Sequence, residues 1–299
     1  GNLMSKNAIV FGGSGFLGSH VTDTLSESGY KVTIFDQHPS PHIQPDQTMI
    51  VGSILDTDKV NDALKDQDIV FHFAGLSDLD IGTDKPLEVV NQNILGTINL
   101  LNGAVQAKVQ RFVFASTIYV YSSLGGFYRC SKQATELFIE EFNKRYGLDY
   151  TILRYGSLYG PRANDSNGVR RYLLQALRDE KITYPGTGDE TREYINVRDA
   201  ARLTVDILAP EYINQHIVIT GHHPLKTRDM LEMIKEILKK DITFEFSNIP
   251  SNSHYSLTPY SFTPKIGSKL VSNPYVDMGQ GFLECLQEIS QENESARKE

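Results

Sequence analysis

A phenol and an ammonium group are spaced for proton transfer in the segment STIYVYSSLGGFYRCSK, residues 116–132. Tyr128 stands four residues before Lys132, so on a helix the two side chains share one face. A free phenol loses its proton only near pH ~10, but a neighbouring cation favours the phenolate and makes the tyrosine a usable base. The same spacing also occurs in surface pairs that do no chemistry. Which interpretation holds depends on the elements that surround the segment.

A glycine-rich turn near the N terminus predicts a binding site for a dinucleotide. Gly13, Gly15 and Gly18 match G-x-G-x-x-G directly after the apolar run KNAIVF and at the start of a predicted helix. Glycine permits a tight turn and close approach to a pyrophosphate, and the helix N terminus favours the anion. The cofactor contacts predicted in this turn are Gly12, Gly15, Phe16, Leu17 and Gly18.

An acidic residue at the next strand end bears on which dinucleotide is bound. Asp36 closes the predicted strand KVTIFD, where its carboxylate would accept hydrogen bonds from the adenosine ribose hydroxyls. The same charge would repel a 2′-phosphate, so NAD is favoured over NADP. A tight turn followed by a capping aspartate is the alternative. Strand, glycines, helix, strand and acid nevertheless occur here in the order that dinucleotide binding requires.

Strand and helix patterns alternate through the first half of the chain, which predicts the fold class. The order indicates an α/β fold, a doubly wound parallel Rossmann sheet with helices on both faces. Long amphipathic helices are predicted at 85–107 and 128–146. The predicted strands are 6–12, 31–36, 48–52, 68–75, 111–116 and 149–155.

The second half is less regular and is assigned mainly to a second unit. The NAD-binding Rossmann domain is placed at 1–166, and 193–210 are expected to return to it. A smaller C-terminal substrate-binding lobe is placed at 167–192 and 211–299. It is expected to cover the carboxyl ends of the strands, where sheets of this kind bind ligands.

Composition argues against several classes of function. The 299 residues are 40% hydrophobic and 22% charged, as in globular proteins, and the net charge of −8 argues against nucleic acid or an anionic membrane as a partner. No apolar run is long enough to span a bilayer and the first residues do not resemble a signal peptide, so a cytoplasmic location is expected. Neither a disulfide framework nor a metal site is predicted. The residues considered for these are Cys130, Cys285, His38, His42, His72, His222 and His223.

Taken together, the motifs resemble the extended short-chain dehydrogenases/reductases, specifically the NAD-dependent epimerase/dehydratase group that acts on nucleotide sugars. The resemblance extends over nearly the whole chain. Besides Asp36, it rests on GGSGFLG (12–18), VFHFAG (70–75), NQNILGTINLL (91–101), FASTIYVY (114–121), YRCSK (128–132), LRYGSLYGPR (153–162) and TREYINVRDAA (191–201).

This resemblance implies roles for individual residues. Thr117 is implied to hydrogen-bond the reacting sugar hydroxyl, Tyr128 to be the acid/base, and Lys132 to hold the nicotinamide ribose and lower the pKa of the phenol. Further implied cofactor contacts are Ser53, Ile54, Phe73, Ala74, Gly75, Asn93, Ser116, Tyr128 and Tyr155. Implied substrate contacts are Ser77, Thr117, Ser157, Asn167 and Arg192, the last on the diphosphate. Helix packing for Asn93 and a surface salt bridge for Arg192 are the alternatives.

The chain also departs from the family pattern. Ile118 and Tyr119 occupy the places where 4,6-dehydratases carry Asp-Glu, so a dehydratase is disfavoured. The loop at 122–127 is shorter than usual, which would leave the sugar pocket more open. Ser53 replaces a carboxylate expected near the adenine amine, and Ser157 replaces an asparagine.

The resemblance favours NAD-dependent oxidoreduction at C4 of a nucleoside-diphosphate sugar, most simply as a 4-epimerase with a 4-keto intermediate. A C4 dehydrogenase or a 4-ketoreductase uses the same side chains and is the alternative. A non-catalytic NAD-binding regulator is a second alternative, which the presence of Thr117, Tyr128 and Lys132 disfavours. A homodimer is expected, because in this family the helices corresponding to 85–107 and 128–146 pair with their copies.

Overall fold

The computed structural model describes residues 6–75, 85–121, 126–221, 224–247, 268–271 and 276–298. Its strands fall into one large sheet and two small ones. In chain order they are β1 (Asn7–Phe11), β2 (Lys31–Asp36), β3 (Thr48–Val51), β4 (Ile69–His72), β5 (Arg111–Thr117), β6 (Tyr150–Tyr155), β7 (Ser157–Tyr159), β8 (Lys181–Tyr184), β9 (Thr191–Asn196), β10 (Gln215–Thr220), β11 (Pro224–Lys226), β12 (Thr243–Phe246) and β13 (Ser268–Val271).

Helices connect most of these strands. Asp56 begins the second helix by accepting a hydrogen bond from the Lys59 N–H, and Pro86 begins the third, where its missing N–H is not needed. Between the third and fourth helices, Val90–Leu95 form a π-helix. The helices are α1 (Phe16–Glu27), α2 (Thr57–Leu64), α3 (Pro86–Val89), α4 (Gly96–Gln106), α5 (Gly126–Tyr146), α6 (Gly168–Asp179), α7 (Val197–Asp206), α8 (Thr227–Leu238) and α9 (Met278–Lys298).

The large sheet is parallel throughout and confirms the predicted fold class. Its eight strands lie in the order β3-β2-β1-β4-β5-β6-β10-β13. Ile9 on β1, for example, lies opposite Thr33 on β2 and Val70 on β4. Because the chain order reverses between β1 and β4, the carboxyl ends of these two strands border the crevice in which such sheets bind ligands. Strands β1, β4 and β6 are almost wholly buried, which explains their continuous apolar sequences.

Two strands from the C-terminal part of the chain belong to this large sheet. The sequence analysis placed 211–299 in the lobe, but β10 pairs with β6, and β13 pairs with β10. For these strands the assignment was wrong, because a parallel neighbour can arrive from far along the chain and local patterns do not reveal its partner. In the segment 193–210, α7 packs against α1, and its Ala200 and Ala201 join the core beneath the sheet.

The remaining elements form a smaller lobe attached at the carboxyl end of β6. Here β7 and β11 flank β9, and β8 pairs with β12. A separate apolar core holds the lobe together, with Leu173, Ile182, Met230, Leu231 and Phe282 fully buried. Within the described ranges, none of the helices combines the length and apolar content that a membrane span requires.

Candidate active site

Two glycines of the turn after β1 have no room for a side chain. Gly12 adopts φ +82°, and a Cβ atom there would lie 2.7 Å from the Phe73 carbonyl carbon. At Gly18 a Cβ atom would lie 2.1 Å from the Gly12 carbonyl oxygen. Gly12, and not Gly13 of the predicted motif, is therefore the residue that needs the left-handed conformation. Gly15 begins α1 without a side-chain cap, which leaves the N–H groups of the first turn available to an anion.

Asp36 is fixed beside this turn at the end of β2. Its carboxylate accepts hydrogen bonds from the Ser14 N–H at 3.1 Å and the His38 N–H at 3.0 Å. It lines a cavity of about 540 Å³ together with Gly12 and Gly15. A cradle formed by glycine backbone beside a carboxylate fits an adenine dinucleotide whose adenosine ribose carries no 2′-phosphate.

The structure distinguishes Ser53 from Ile54, two neighbouring residues predicted to contact the cofactor. Ile54 lines the cavity and packs against Gly96, where a Cβ atom would lie 2.4 Å from the Ile54 Cδ1. Ser53 is not among the described residues that line it, and its hydroxyl accepts a hydrogen bond from the Leu55 N–H at 3.1 Å. The serine therefore stabilises the turn after β3 in this structure.

A second cavity of about 420 Å³ brings the predicted catalytic residues together. Thr117 reaches it from the end of β5, and Tyr128 and Lys132 reach it from the first turns of α5. The two cavities share part of their lining, so they meet at the glycine turn. The shared residues are Gly12, Gly15, Phe73, Ala74 and Gly75, and the second cavity adds Phe16, Leu17, Gly18, Ser116, Tyr155 and Asn167.

Lys132 is held close to the phenol. Its Nζ donates a hydrogen bond to the Ala115 carbonyl at 3.0 Å and lies 5.5 Å from the centroid of the Tyr128 ring. It also lies 4.6 Å from the centroid of the Phe114 ring. Burial lowers the pKa of Lys132 to about 8, whereas the negative charge of Glu136 raises it. The ammonium is thus positioned to stabilise negative charge on the phenol oxygen.

Asn93 connects the turn at Gly75 to helix α5. It is buried within the π-helix, and its Nδ2 donates to the Ser131 hydroxyl at 3.0 Å. Its Oδ1 lies against Gly75, where a Cβ atom would come within 2.6 Å. The sequence analysis predicted a regular helix at 85–107 and gave no signal for the π-helix, which is a feature often found at functional sites.

Tyr155 and Asn167 line the second cavity while their polar groups serve the fold. The Tyr155 hydroxyl lies 2.6 Å from Thr204 Oγ1, and burial raises the pKa of this phenol. Asn167 caps α6 by accepting a hydrogen bond from the Arg170 N–H at 3.1 Å, and its amide donates to the Leu158 carbonyl at 2.8 Å.

The other predicted substrate contacts do not line either cavity among the described residues. Ser157 lies on β7 opposite Tyr194, and Arg192 lies on β9 opposite Leu225. Ser77 lies outside the described residues. The structure therefore brings the predicted catalytic residues to the glycine turn, whereas Arg192 lies on β9 in the lobe and is not among the residues that line either cavity.

Sequence reasoning missed a buried charged pair behind the site. Arg154 Nη2 donates to Glu136 Oε1 at 2.7 Å, and both side chains are almost wholly buried. An arginine inside the apolar strand YTILRY was the available signal, because a charge in a buried strand requires a partner.

Comparisons with known proteins show the family to which the chain belongs. The model of the NAD dependent epimerase/dehydratase family matches residues 8–220. The UDP-N-acetyl-alpha-D-glucosaminuronate decarboxylase of Bacillus cytotoxicus is 27% identical over 95% of this chain and 98% of its own length. A putative UDP-glucose 4-epimerase of Methanocaldococcus jannaschii is 28% identical over 76% of this chain and 81% of its own length.

A solved structure shows the same fold with its ligands bound. The UDP-glucuronic acid 4-epimerase of Bacillus cereus, in complex with UDP-glucuronic acid and NAD, is 25% identical and superposes with a TM-score of 0.80. The match covers 95% of this chain and 99% of that one. The chain therefore belongs to the NAD dependent epimerase/dehydratase family, and NAD is its cofactor.

Proposed function

We propose that this protein is a nucleotide-sugar 4-epimerase that oxidises and re-reduces C4 of a nucleoside-diphosphate sugar. The observation that carries the proposal is the meeting of Thr117, Tyr128 and Lys132 on one cavity that adjoins the dinucleotide cradle. Relatives named as epimerases and decarboxylases of UDP-sugars support a UDP-sugar as the substrate class.

The proposed mechanism assigns the proton to Tyr128. Its phenolate oxygen takes the proton of the sugar hydroxyl, and the Lys132 ammonium stabilises the phenolate before this transfer. The Thr117 hydroxyl holds the reacting oxygen in place. Bound NAD, which Gly12, Gly18 and Asp36 would hold, would supply the hydride acceptor for the oxidation and the hydride donor for the return step. For epimerisation, Tyr128 gives the proton back after the ketone has turned over within the pocket.

Other outcomes begin with the same oxidation. Release of the ketone would make the protein a dehydrogenase, and reduction of a supplied ketone would make it a ketoreductase. The decarboxylase relative favours one further candidate, because a C4 ketone in a uronic acid is a β-keto acid, which loses carbon dioxide readily. A dehydratase remains disfavoured, since Ile118 is apolar and fully buried where that chemistry needs a carboxyl group.

Product analysis separates these reactions. The protein is incubated without added NAD with UDP-, GDP- and CDP-hexoses and with the corresponding uronates, and the sugars are followed by NMR. A catalytic yield of the C4 epimer supports the proposal, whereas a ketone limited to one equivalent per enzyme indicates a dehydrogenase. A pentose with released carbon dioxide indicates a decarboxylase. No conversion of any sugar by protein that has bound NAD would contradict the enzymatic proposal and favour a regulator.

We also propose that the protein is a homodimer. Large apolar side chains stand exposed along α3, the π-helix and α5. They are Leu87, Val90, Leu95, Phe127, Leu137, Phe138 and Tyr146, with Leu87 78% exposed. A monomer rarely exposes such a set on adjacent helices. Light scattering should give twice the mass of one chain, and the double substitution Leu137→Glu, Phe138→Glu should give the mass of one chain.

A further inference from the structure

A buried polar network lies directly behind Lys132. Ser116 and Arg154 are neighbours across β5 and β6, and both contact Glu136, which follows Lys132 by one turn of α5. The Ser116 hydroxyl donates to Glu136 Oε2 at 2.7 Å, and Arg154 Nη2 donates to Oε1 at 2.7 Å. The Arg154 and Glu136 side chains are only 1% and 2% exposed, so water screens their charges weakly.

His216 extends this network to a third strand. From β10 its Nδ1 lies 3.4 Å from Glu136 Oε1, and its Nε2 lies 2.9 Å from Glu140 Oε1. Burial alone would raise the pKa of the Glu136 carboxyl, but hydrogen bonds from His216, Arg154 and Ser116 hold it below its ordinary value. Glu136 is therefore a carboxylate at neutral pH.

An ionised carboxylate at this position acts on the cavity in two ways. Ser116 has a single hydroxyl proton, and it donates that proton to Glu136, so only its lone pairs remain for a ligand. The negative charge also attracts the Lys132 ammonium, whose pKa burial lowers to about 8 and Glu136 raises.

We infer that Glu136 is a positioning residue for the proposed C4 chemistry, since its buried charge keeps Lys132 protonated and orients Ser116 as a hydrogen-bond acceptor. This inference rests on the proposed function, because it assigns Glu136 a role through Lys132 and gives it no contact with substrate. Arg154 and His216 serve the same role one step further away by keeping the carboxylate ionised.

The other titratable groups around this pair do not supply the same charge. His72 on β4 has its pKa lowered to about 3, first by burial and then by the Lys132 charge, so it is neutral here. Tyr128 faces Lys132 from the same helix, and Arg154 is a cation. Glu140 is an acid, but its carboxylate contacts His216 on the far side of the network.

A purely structural role for the ion pair predicts a different result. Removing one partner of a buried pair destabilises the fold, whatever the pair does for catalysis. Such a loss would leave the protonation of Lys132 unchanged. The titration of Lys132 in protein without cofactor therefore distinguishes the two roles, and it needs no substrate.

The test compares Glu136→Gln with Arg111→Met. Arg111 lies at the opposite end of β5, is nearly as buried, and donates to the Ile207 carbonyl at 2.8 Å and to Thr151 Oγ1 at 3.0 Å. The Lys132 midpoint is followed by carbon-13 NMR of labelled lysine and assigned with Lys132→Arg. In E136Q this midpoint should fall by about one pH unit, and in R111M it should not move.

Turnover gives the second readout. The alkaline limb of the pH–rate profile should fall with the Lys132 midpoint in E136Q and stay in place in R111M. If E136Q and R111M titrate alike, the positioning role is wrong and the pair is structural. If E136Q does not fold, E136D is measured instead, because it keeps the charge but moves it further from Lys132. A smaller fall of the Lys132 midpoint in E136D supports the inference, and an unchanged midpoint overturns it. If the midpoint shifts in E136Q but the wild type converts no sugar, the proposed function is overturned and the electrostatic role of Glu136 stands.

Discussion

The two halves of the cleft achieve their geometry by different means. Around Gly12 and Gly18 the backbone itself forms the cradle, and the critical property is the absence of side chains. Around Tyr128 and Lys132 the site depends on side chains from separate elements, which a buried network aligns. The first half should therefore be sensitive to added volume and the second to changes in charge and proton-transfer groups. Substitutions in each half can test this contrast.

The largest effect is expected where proton transfer depends on one hydroxyl. Tyr128→Phe removes the group that exchanges a proton with the sugar, and turnover should fall by about 10³-fold or more. NAD should stay bound, because the cradle is formed by another part of the chain. Turnover by NMR and cofactor content by absorbance of the denatured protein measure the two properties.

Tyr146→Phe is the matched control for this prediction. Tyr146 lies at the other end of the same helix and is 60% exposed, so the loss of its hydroxyl should leave turnover unchanged. If Y128F retained more than about a tenth of the wild-type turnover, the assignment of the acid/base to Tyr128 would be wrong.

In the backbone half, a single methyl group should be enough to destroy the cradle. Gly18→Ala would place a carbon 2.1 Å from the Gly12 carbonyl oxygen, so the turn must move. We expect NAD binding to be lost and the free energy of unfolding to fall by about 1–3 kcal/mol, as for other overpacked sites. Urea unfolding and calorimetric titration with NAD measure these changes.

Gly15→Ala supplies the comparison for stability. Its nearest neighbour would lie 3.4 Å from the new carbon, and its φ of −82° suits any residue. The cofactor-free protein should unfold within about 0.5 kcal/mol of the wild type. Equal destabilisation by the two substitutions would mean that close packing is not what distinguishes Gly18.

This contrast also explains which features the sequence made predictable. Gly18 and Asp36 are linked by local spacing, since a strand, a turn, a helix and a strand bring them together in order. The correct fold class follows from the same alternation. The conformation of Gly12, however, depends on the close approach of Phe73, which follows β4 and is not encoded in the motif.

The parts that could not be predicted depend on contacts between distant residues. Glu136 and Arg154 form a pair only because α5 lies over the junction of β5 and β6. The assignment of β10 to the lobe failed for the same reason, since the partner of a parallel strand is not set locally. Ser53 was predicted to contact the cofactor from its position in a motif, whereas in the structure its hydroxyl accepts a hydrogen bond from the Leu55 N–H.

Removing the Asp36 charge beside the glycine turn should have an intermediate effect. Asp36→Ala removes the acceptor expected for the ribose hydroxyls, and each lost hydrogen bond to a charged group is worth about 1.5–3 kcal/mol. We expect NAD to bind about 10- to 100-fold more weakly and the preference over NADP to shrink. Calorimetry with both cofactors measures this, and an unchanged ratio of the two affinities would contradict the role given to Asp36.

The smallest predicted effect concerns the pH dependence of stability. Burial lowers the pKa of Lys132 from 10.5 to about 8. Below pH 8 the lysine is therefore protonated in both the folded and the unfolded protein, and burial of its charge opposes folding. Above pH 8 the unfolded chain holds more protons than the folded one, and stability rises with pH until the unfolded lysine also loses its proton. Burial raises the pKa of Cys285 to about 12, which acts in the opposite direction above pH 9.

Lys132→Met isolates the contribution of the lysine. The effects of Cys285 and the buried tyrosines occur in both proteins, so they cancel when the two are compared at each pH. Between about pH 7.5 and 9.5, the wild type without cofactor should gain about 1–2 kcal/mol of unfolding free energy relative to K132M. Urea titrations at the two pH values measure the difference. A wild type that gained nothing over K132M would mean that Lys132 keeps an ordinary pKa in the folded protein, so that burial does not weaken its charge near neutral pH.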